Sequence, residues 1–382
     1  MAPTGNSTKT ADVVIVGGGL IGSAIALRLA QSGVKVAVID RGEPGSEASG
    51  AAAGMIAPQG EMLEPDPFFE MCMASRDLYP DFVAEIEELS GESVHYRRDG
   101  TLLVAIDPHE CEELEHIYKN QTRLGLPLER LTGDAAVQRV PGLSPDIKLA
   151  LVVAGDHWLD NERLARALVK AGEKAGVEFH WSSTATGFEA QGGRLESVRA
   201  TAGREGTTSA FSANSFVLAA GCWSKPLAAT LGIELQMEPC HGQMIELETN
   251  EELPCVVRSG IHYLVPRSGK NVVAGTTAEY IGYEKAVTAE GLQKILQGVS
   301  RIAPLIKKAR FHRAWSGLRP DTKDHYPILG YGELKNLVFA TGHFRNGILL
   351  TPMTAKLIAE LILTGTASLP LEAYSPGRFA AA

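Results

Sequence analysis

The sequence feature that most constrains the fold is a glycine-rich turn between two apolar runs near the N-terminus. The run "VVIV" leads into Gly17, Gly19 and Gly22 in the spacing G-x-G-x-x-G, and a second run, "VKVAVID", ends at Asp40 after a helical stretch. Such a turn lets the backbone approach a pyrophosphate, the helix N-terminus stabilises the negative charge, and the acidic residue accepts hydrogen bonds from a ribose. The order of these parts predicts a Rossmann-like βαβ unit that binds a dinucleotide.

The segment "SEASGAAAGMIAP", Ser46 to Pro58, follows this unit and consists mostly of small residues. A loop of this composition can place backbone N–H groups against a diphosphate and a flat ring. A plain flexible surface loop is an equally good interpretation of the composition alone.

Composition and charge exclude several classes of protein. The chain has 382 residues, of which 45% are hydrophobic, so we expect one large or two medium domains. A net charge of -9 without a Lys/Arg cluster argues against binding of nucleic acid or of an anionic membrane surface. The polar residues 1–11 are predicted to be a flexible N-terminus and not a signal peptide. The apolar tract 347–363 contains Lys356 and Glu360, which favours an amphipathic helix over a membrane span.

The cysteines form no C-x-x-C pair and lie far apart, at positions 72, 111, 222, 240 and 255. This scatter is typical of reduced thiols in a cytoplasmic protein, so we expect a cytoplasmic location and no metal site.

Five further motifs, together with the glycine turn, resemble the D-amino-acid oxidase family of FAD-dependent oxidoreductases. The greatest similarity is to the glycine oxidases of thiamine biosynthesis. The motifs occur in the family's order between residue 13 and about residue 365, and they read "SGAAAGM", "FVLAAGCWS" (216–224), "GIHYLVPR" (260–267), "WSGLRPDTKD" (315–324) and "ATGHFRNGILLTP" (340–352).

The resemblance implies an α/β (α+β) fold of the glutathione-reductase-like type. A discontinuous Rossmann-like FAD-binding domain would comprise residues 12–84, 142–226 and 310–375. An antiparallel-sheet substrate-binding domain would comprise residues 85–141 and 227–309.

The resemblance also implies the residues of the substrate site. Arg319 precedes Pro320, which favours an extended backbone, and the planar fork of an arginine suits a carboxylate. Tyr263 would face the same carboxylate, and Arg345 would lie at the entrance of a helix beginning near Ile348. Met55 and Ala278 would line the substrate pocket, where the small Ala278 leaves room beside the α-carbon and weakens a strict preference for glycine.

The resemblance carries over a longer set of residues to the cofactor. The expected FAD contacts are Gly17, Gly19, Leu20, Ile21, Gly22, Asp40, Arg41, Ser49, Ala51, Ala52, Gly54, Met55, Ala185, Ala220, Gly221, Trp223, His343, Arg345, Asn346, Gly347 and Ile348. The segment "WSGLRP" has no cysteine, so we expect the FAD to be bound non-covalently.

The "HFRNG" turn gathers donors where a helix N-terminus and Arg345 could stabilise negative charge on a reduced flavin. An ordinary helix cap is the alternative interpretation. The motifs do not clearly place an Asp, Glu or His as an α-proton base, which agrees with direct hydride transfer from a neutral amine.

The implied activity is oxidative deamination of glycine, sarcosine and small D-amino acids such as D-alanine, with dioxygen as the acceptor and hydrogen peroxide as a product. Alternatives are an FAD-dependent D-amino-acid dehydrogenase that passes electrons to a quinone or carrier protein, and a nucleotide-sensing module without turnover. The resemblance further implies a homotetramer, and no nucleic acid or membrane partner is expected.

Overall fold

The computed structural model describes residues 7–61, 66–203 and 206–379. Its strands are β1 (Ser7–Thr10), β2 (Val13–Val16), β3 (Val36–Ile39), β4 (Met55–Ile56), β5 (Thr101–Ala105), β6 (Glu129–Thr132), β7 (Leu149–Val153), β8 (His157–Trp158), β9 (Glu178–His180), β10 (Ser183–Gln191), β11 (Arg194–Ala202), β12 (Thr207–Ser212), β13 (Ser215–Leu218), β14 (Met237–Glu248), β15 (Val256–Ser259), β16 (His262–Pro266), β17 (Asn271–Gly275), β18 (Arg310–Thr322), β19 (Ile328–Tyr331) and β20 (Leu337–Thr341). Its α-helices are α1 (Leu20–Gln31), α2 (Ala48–Ala51), α3 (Pro58–Glu61), α4 (Pro67–Ser90), α5 (Pro108–Arg123), α6 (Gly133–Arg139), α7 (Asn161–Lys174), α8 (Ser224–Ala229), α9 (Ala289–Ile302) and α10 (Thr351–Thr364).

A six-stranded sheet contains the apolar runs on either side of the glycine turn. Its order is β19-β20-β13-β2-β3-β9, and every pair is parallel except β19 with β20. Both faces of β2 and β3 are buried, which explains why these strands are continuously apolar. Helix α1 packs against α7 and α10, and α4 packs against the same two helices.

An eight-stranded sheet forms the second half of the molecule. Its order is β18-β14-β17-β16-β15-β5-β7-β6, and its pairs are antiparallel except β15 with β5. Helix α9 packs against β14, β16 and β17. It begins after Thr288, whose hydroxyl accepts a hydrogen bond from the amide of Gly291.

A four-stranded sheet, of order β1-β12-β11-β10, and the small pair β4-β8 complete the architecture. The N-terminus differs here from the sequence-based expectation, because residues 7–10 form β1 and pair in parallel with β12. The prediction of a flexible segment over 1–11 is therefore wrong for this part, and its first six residues lie outside the described ranges. The predicted α/β class is confirmed, and no helix among the described residues is long and apolar enough to cross a membrane.

The strand pairing departs from the predicted domain boundaries at two strands. The resemblance places residues 149–153 and 310–322 in the FAD-binding domain, and as β7 and β18 they pair within the eight-stranded sheet. Helix α4 also runs through the boundary placed at residue 84. Backbone pairing with distant strands decides where a strand belongs, and local composition carries little information about it.

Candidate active site

The glycine turn is built so that helix and strands approach one another closely. Gly17 has φ +113°, and a Cβ on it would lie 2.4 Å from the carbonyl oxygen of Ala219. A Cβ on Gly22 would lie 1.9 Å from the carbonyl oxygen of Gly17. Both positions therefore require glycine. The N-cap of α1 is Gly19, which brings no side chain between this helix end and a bound anion.

Asp40 ties the end of β3 to this turn. Its carboxylate accepts hydrogen bonds from the amides of Gly18, at 2.7 Å, and Gly42, at 2.8 Å. Burial raises the pKa of Asp40 above its ordinary value, although these two amides act in the opposite direction. Each carboxylate oxygen retains a lone pair that can accept a hydrogen bond from a ribose hydroxyl.

The small-residue loop is fixed by hydrogen bonds, which excludes the alternative of a plain flexible surface loop. Ser49 accepts a hydrogen bond at 3.0 Å from the amide of Leu20. The Asn161 side chain donates to the carbonyl oxygens of Ser49 and Gly50, at 2.8 and 3.0 Å. A Cβ on Gly54 would lie 2.0 Å from the carbonyl oxygen of Leu159, so this turn also requires glycine.

One continuous cavity runs from the glycine turn to the predicted substrate residues. Its walls come from both large sheets. The predicted residues that line it are Gly17, Gly19, Leu20, Ile21, Asp40, Arg41, Ser49, Ala51, Ala52, Gly54, Met55, Ala185, Ala220, Gly221, Trp223, Tyr263, Arg319, His343, Arg345, Asn346, Gly347 and Ile348.

Two predicted site residues lie outside this lining. Gly22 packs α1 against Gly17 of the glycine turn. Gly17 lines the cavity, whereas Gly22 does not. Ala278 is exposed and is not part of the cavity wall. Strand β17 ends at Gly275, two residues before Thr277. Of the residues between Gly275 and Ala278, Thr276 lines the cavity. The placement of Ala278 beside a substrate α-carbon is therefore not supported by the structure.

Arg319 lies in β18 and is held at the cavity wall by the end of β17. Its Nη2 donates to Thr276 Oγ1 at 2.7 Å, and its Nη1 donates to the carbonyl oxygen of Thr277 at 3.2 Å. The guanidinium lies against Gly242 of β14, where a Cβ would come within 2.2 Å of Nη1. The guanidinium carries five N–H groups, so donors remain for a ligand carboxylate.

Tyr263 packs in the same wall and is 5% exposed. Its hydroxyl donates to Met244 Sδ at 3.2 Å. A Cβ on Gly275 would lie 2.8 Å from the Tyr263 hydroxyl and 2.6 Å from Met244 Sδ. The glycine at the end of β17 therefore makes room for this aromatic ring beside the cavity.

Arg345 has a partner that the sequence interpretation missed. Its Nη2 lies 3.5 Å from Glu61 Oε1, and Glu61 also lines the cavity. Burial would raise the pKa of Glu61, but the charges of Arg345, Arg258 and Arg319 lower it below its ordinary value, so the carboxylate is ionised. The sequence carried one signal for this residue, an acidic side chain shortly after Met55 in "GMIAPQGE".

The donor-rich turn leads into α10 three residues later than expected. The predicted start near Ile348 is wrong, because residues 347–350 form a hydrogen-bonded turn and the helix begins at Thr351. In this turn the amide of Leu350 donates to the carbonyl oxygen of Asn346 at 2.8 Å. His343 shares a hydrogen bond of 3.1 Å with Thr354, and burial lowers its pKa to about 3, so it is neutral at physiological pH.

The residues at the glycine-turn end of the cavity fit FAD. The glycine positions leave space for a pyrophosphate, the N-terminus of α1 favours its negative charge, and Asp40 can accept from a ribose. Nearby, the guanidinium of Arg41 stacks on the Trp223 ring at 3.7 Å from its centroid.

Comparison with known proteins agrees with this geometry. The family model described as "FAD dependent oxidoreductase" (DAO) matches residues 12–361. The chain is 33% identical to the glycine oxidase of Geobacillus kaustophilus over 93% of each chain. A crystal structure described as glycine oxidase from Geobacillus kaustophilus superposes with a TM-score of 0.92 at 31% identity, covering 97% of this chain and 99% of that one.

A second group of relatives is longer than this chain. The "Bifunctional protein ThiO/ThiG" of Trichormus variabilis is 33% identical over 97% of this chain, but the match covers 55% of that protein. The chain therefore spans about half the length of the bifunctional relatives that it matches.

Proposed function

This chain belongs to the DAO family of FAD-dependent oxidoreductases, and from that premise we propose that it oxidises glycine and small related amines. Sarcosine and small D-amino acids such as D-alanine are the further substrates. The amine loses a hydride and a proton to become an imine, and water converts the imine to a keto acid, glyoxylate in the case of glycine, and ammonia. FAD, held at the glycine turn and Asp40, would supply the redox chemistry between the amine and dioxygen, and the two electrons would leave as hydrogen peroxide.

The observation that carries this proposal is the placement of Arg319, Arg345 and Tyr263 on the wall of the cavity that begins at the glycine turn. In the proposed role, Arg319 binds the substrate carboxylate with its forked donors, since its own contacts with Thr276 and Thr277 hold the guanidinium in one orientation. A fixed carboxylate restricts where the α-carbon can lie, and this restriction lowers the entropic part of the barrier.

The low basicity of two titratable groups in the cavity supports transfer of a hydride from a neutral amine. Burial lowers the pKa of His343 to about 3, and the charges of the arginines lower the pKa of Glu61, so both groups are weak bases for the removal of an α-proton. In the proposal, the role of Arg345 and of the donors around Asn346 is to stabilise the negative charge that builds up as the hydride leaves the substrate.

The test is anaerobic mixing of the FAD-loaded protein with glycine, sarcosine or D-alanine in a stopped-flow spectrometer. We expect the flavin absorbance to bleach with each substrate, and we expect one hydrogen peroxide per substrate oxidised when air is admitted. Bleaching by glycine without peroxide would favour the dehydrogenase with a quinone or protein acceptor. Absence of bleaching with all three amines would reject the proposal and would leave the nucleotide-sensing module.

The similarity to the bifunctional ThiO/ThiG proteins supports a role in thiamine biosynthesis. We infer that the product of the proposed oxidation is used there. The homotetramer and the cytoplasmic location remain predictions that sedimentation and fractionation would test.

A further inference from the structure

We propose that Glu61 is a specificity-determining residue, because its carboxylate offsets part of the charge of Arg345, repels a second carboxylate and so restricts the substrates to amines that carry a single carboxylate. This inference rests on the proposed function, in which Arg319 binds that carboxylate.

Glu61 is held firmly at the end of helix α3. The amide of the preceding residue, Gly60, donates to Asp156 Oδ2 at 3.1 Å, and the carbonyl oxygen of Gly60 accepts from Arg258 Nη1 at 3.2 Å. A Cβ on Gly60 would lie 2.6 Å from the Asp156 carboxylate, so the glycine allows this close approach. Residues 58–60 are buried. The position of the Glu61 backbone is therefore set by groups outside the cavity.

The Glu61 carboxylate interacts with two arginines that differ in their access to the cavity. Its Oε1 lies 3.1 Å from Arg258 Nη1 and 3.5 Å from Arg345 Nη2. Arg345 lines the cavity together with Glu61, whereas Arg258 is not part of the wall. Arg258 therefore anchors the carboxylate from behind, and Arg345 is the partner that a ligand would meet.

The charges around the substrate position then have unequal roles. Arg319 contacts neutral groups, namely the Thr276 hydroxyl, the Thr277 carbonyl oxygen and, at 4.0 Å, the Cys240 sulfur. Its charge is left to attract an anion, apart from a longer-range attraction to Glu61. The charge of Arg345 is offset in part by Glu61, which also pairs with Arg258. A second carboxylate on the substrate would meet this paired arginine and the repulsion of Glu61, and unfavourable charge contacts of this kind suppress binding of wrong partners.

The experiment measures ligand binding to the FAD-loaded protein from the perturbation of the flavin absorbance spectrum. The probes are acetate, with one carboxylate, and malonate and succinate, with two carboxylates at different separations. In the unmodified protein we expect acetate to bind more tightly than either dicarboxylate. In Glu61→Gln, which keeps the shape and removes the charge, the affinity ratio of dicarboxylate to acetate should rise by at least about tenfold. Glu61→Asp, which keeps the charge, should retain the original preference.

Arg345→Gln provides a second measurement that does not depend on the folding of Glu61→Gln. Removal of this cation leaves Glu61 less compensated, so the ratio of dicarboxylate to acetate affinity should fall. The double variant Glu61→Gln/Arg345→Gln should lose the gain seen with Glu61→Gln alone. If the ratio of dicarboxylate to acetate affinity is unchanged in Glu61→Gln, the role of Glu61 is overturned. If Glu61→Gln does not fold, an unchanged ratio in Arg345→Gln has the same consequence. If acetate does not perturb the unmodified flavin and glycine does not bleach it, the proposed function itself fails.

Discussion

At the scale of single residues, Arg319 owes its role to neighbours that are distant in the sequence. Thr276 and Thr277 hold its guanidinium, and Gly242 leaves the space that it occupies. The motif "LRPD" predicts an extended arginine, and β18 confirms this. The motif carries no information on the three residues around the guanidinium, because they belong to β14 and to the segment that follows β17.

We predict that Arg319→Leu raises the KM for glycine by about thirtyfold or more, because loss of one partner from a desolvated charge pair costs about 2–5 kcal/mol. The FAD content should stay unchanged, since Arg319 contacts residues of β14 and the end of β17. Stopped-flow reduction over a range of glycine concentrations measures the effect. Arg310→Leu, on the same strand but with a side chain that is 83% exposed, is the control. Wild-type affinity in Arg319→Leu would show that the carboxylate binds elsewhere.

His343 gives a prediction about pH and stability. Burial lowers its pKa to about 3 in the folded protein, whereas the ordinary pKa in an unfolded chain is about 6.5. Between these values the unfolded chain binds the proton and the folded protein does not, so the free energy of unfolding falls as the pH falls from 6.5 towards 3. In His343→Gln this contribution is absent, and Tm should decline less steeply over that range. His109→Gln, whose side chain is 80% exposed, should follow the wild-type curve.

At the scale of elements, the sequence predicted those parts whose geometry is local. The glycine turn and the helix that follows it occur as expected, because the turn glycines determine the local geometry within a few positions. The sheet to which β7 and β18 belong was not predicted from the sequence, since their partner strands lie far away in the chain. Glu61 was missed for the same reason, because its arginine partners come from other elements.

The tight packing of α1 on the glycine turn predicts the effect of Gly22→Ala. The added methyl would lie 1.9 Å from the carbonyl oxygen of Gly17, so the helix and turn must separate. We expect a loss of about 1–3 kcal/mol in stability and a protein that purifies with less FAD, as measured by the ratio of flavin absorbance to protein absorbance. Gly377→Ala, where the nearest atom to the new methyl is 3.8 Å away, should keep its FAD. Full FAD content in Gly22→Ala would contradict the proposed packing.

At the scale of the whole molecule, residues from both large sheets line one cavity. The glycine turn and Asp40 come from the six-stranded sheet, whereas Tyr263 and Arg319 come from the eight-stranded sheet. A ligand that spans the cavity contacts both halves in the folded state and loses these contacts on unfolding. Binding of FAD therefore couples the stability of the fold to occupation of the active site.

This coupling predicts how the melting temperature responds to FAD. A ligand that binds only the folded state at 100 times its dissociation constant adds about 2.7 kcal/mol of stability, and this corresponds to several degrees in Tm. Protein stripped of FAD should melt at a lower temperature, and added FAD should restore Tm. Riboflavin at the same concentration should not, because it lacks the ADP portion of FAD, including the pyrophosphate that the glycine turn and the N-terminus of α1 favour. Differential scanning calorimetry with both ligands measures the difference. Equal restoration by riboflavin would show that the pyrophosphate contributes little to binding, and the role assigned to the glycine turn would then be wrong.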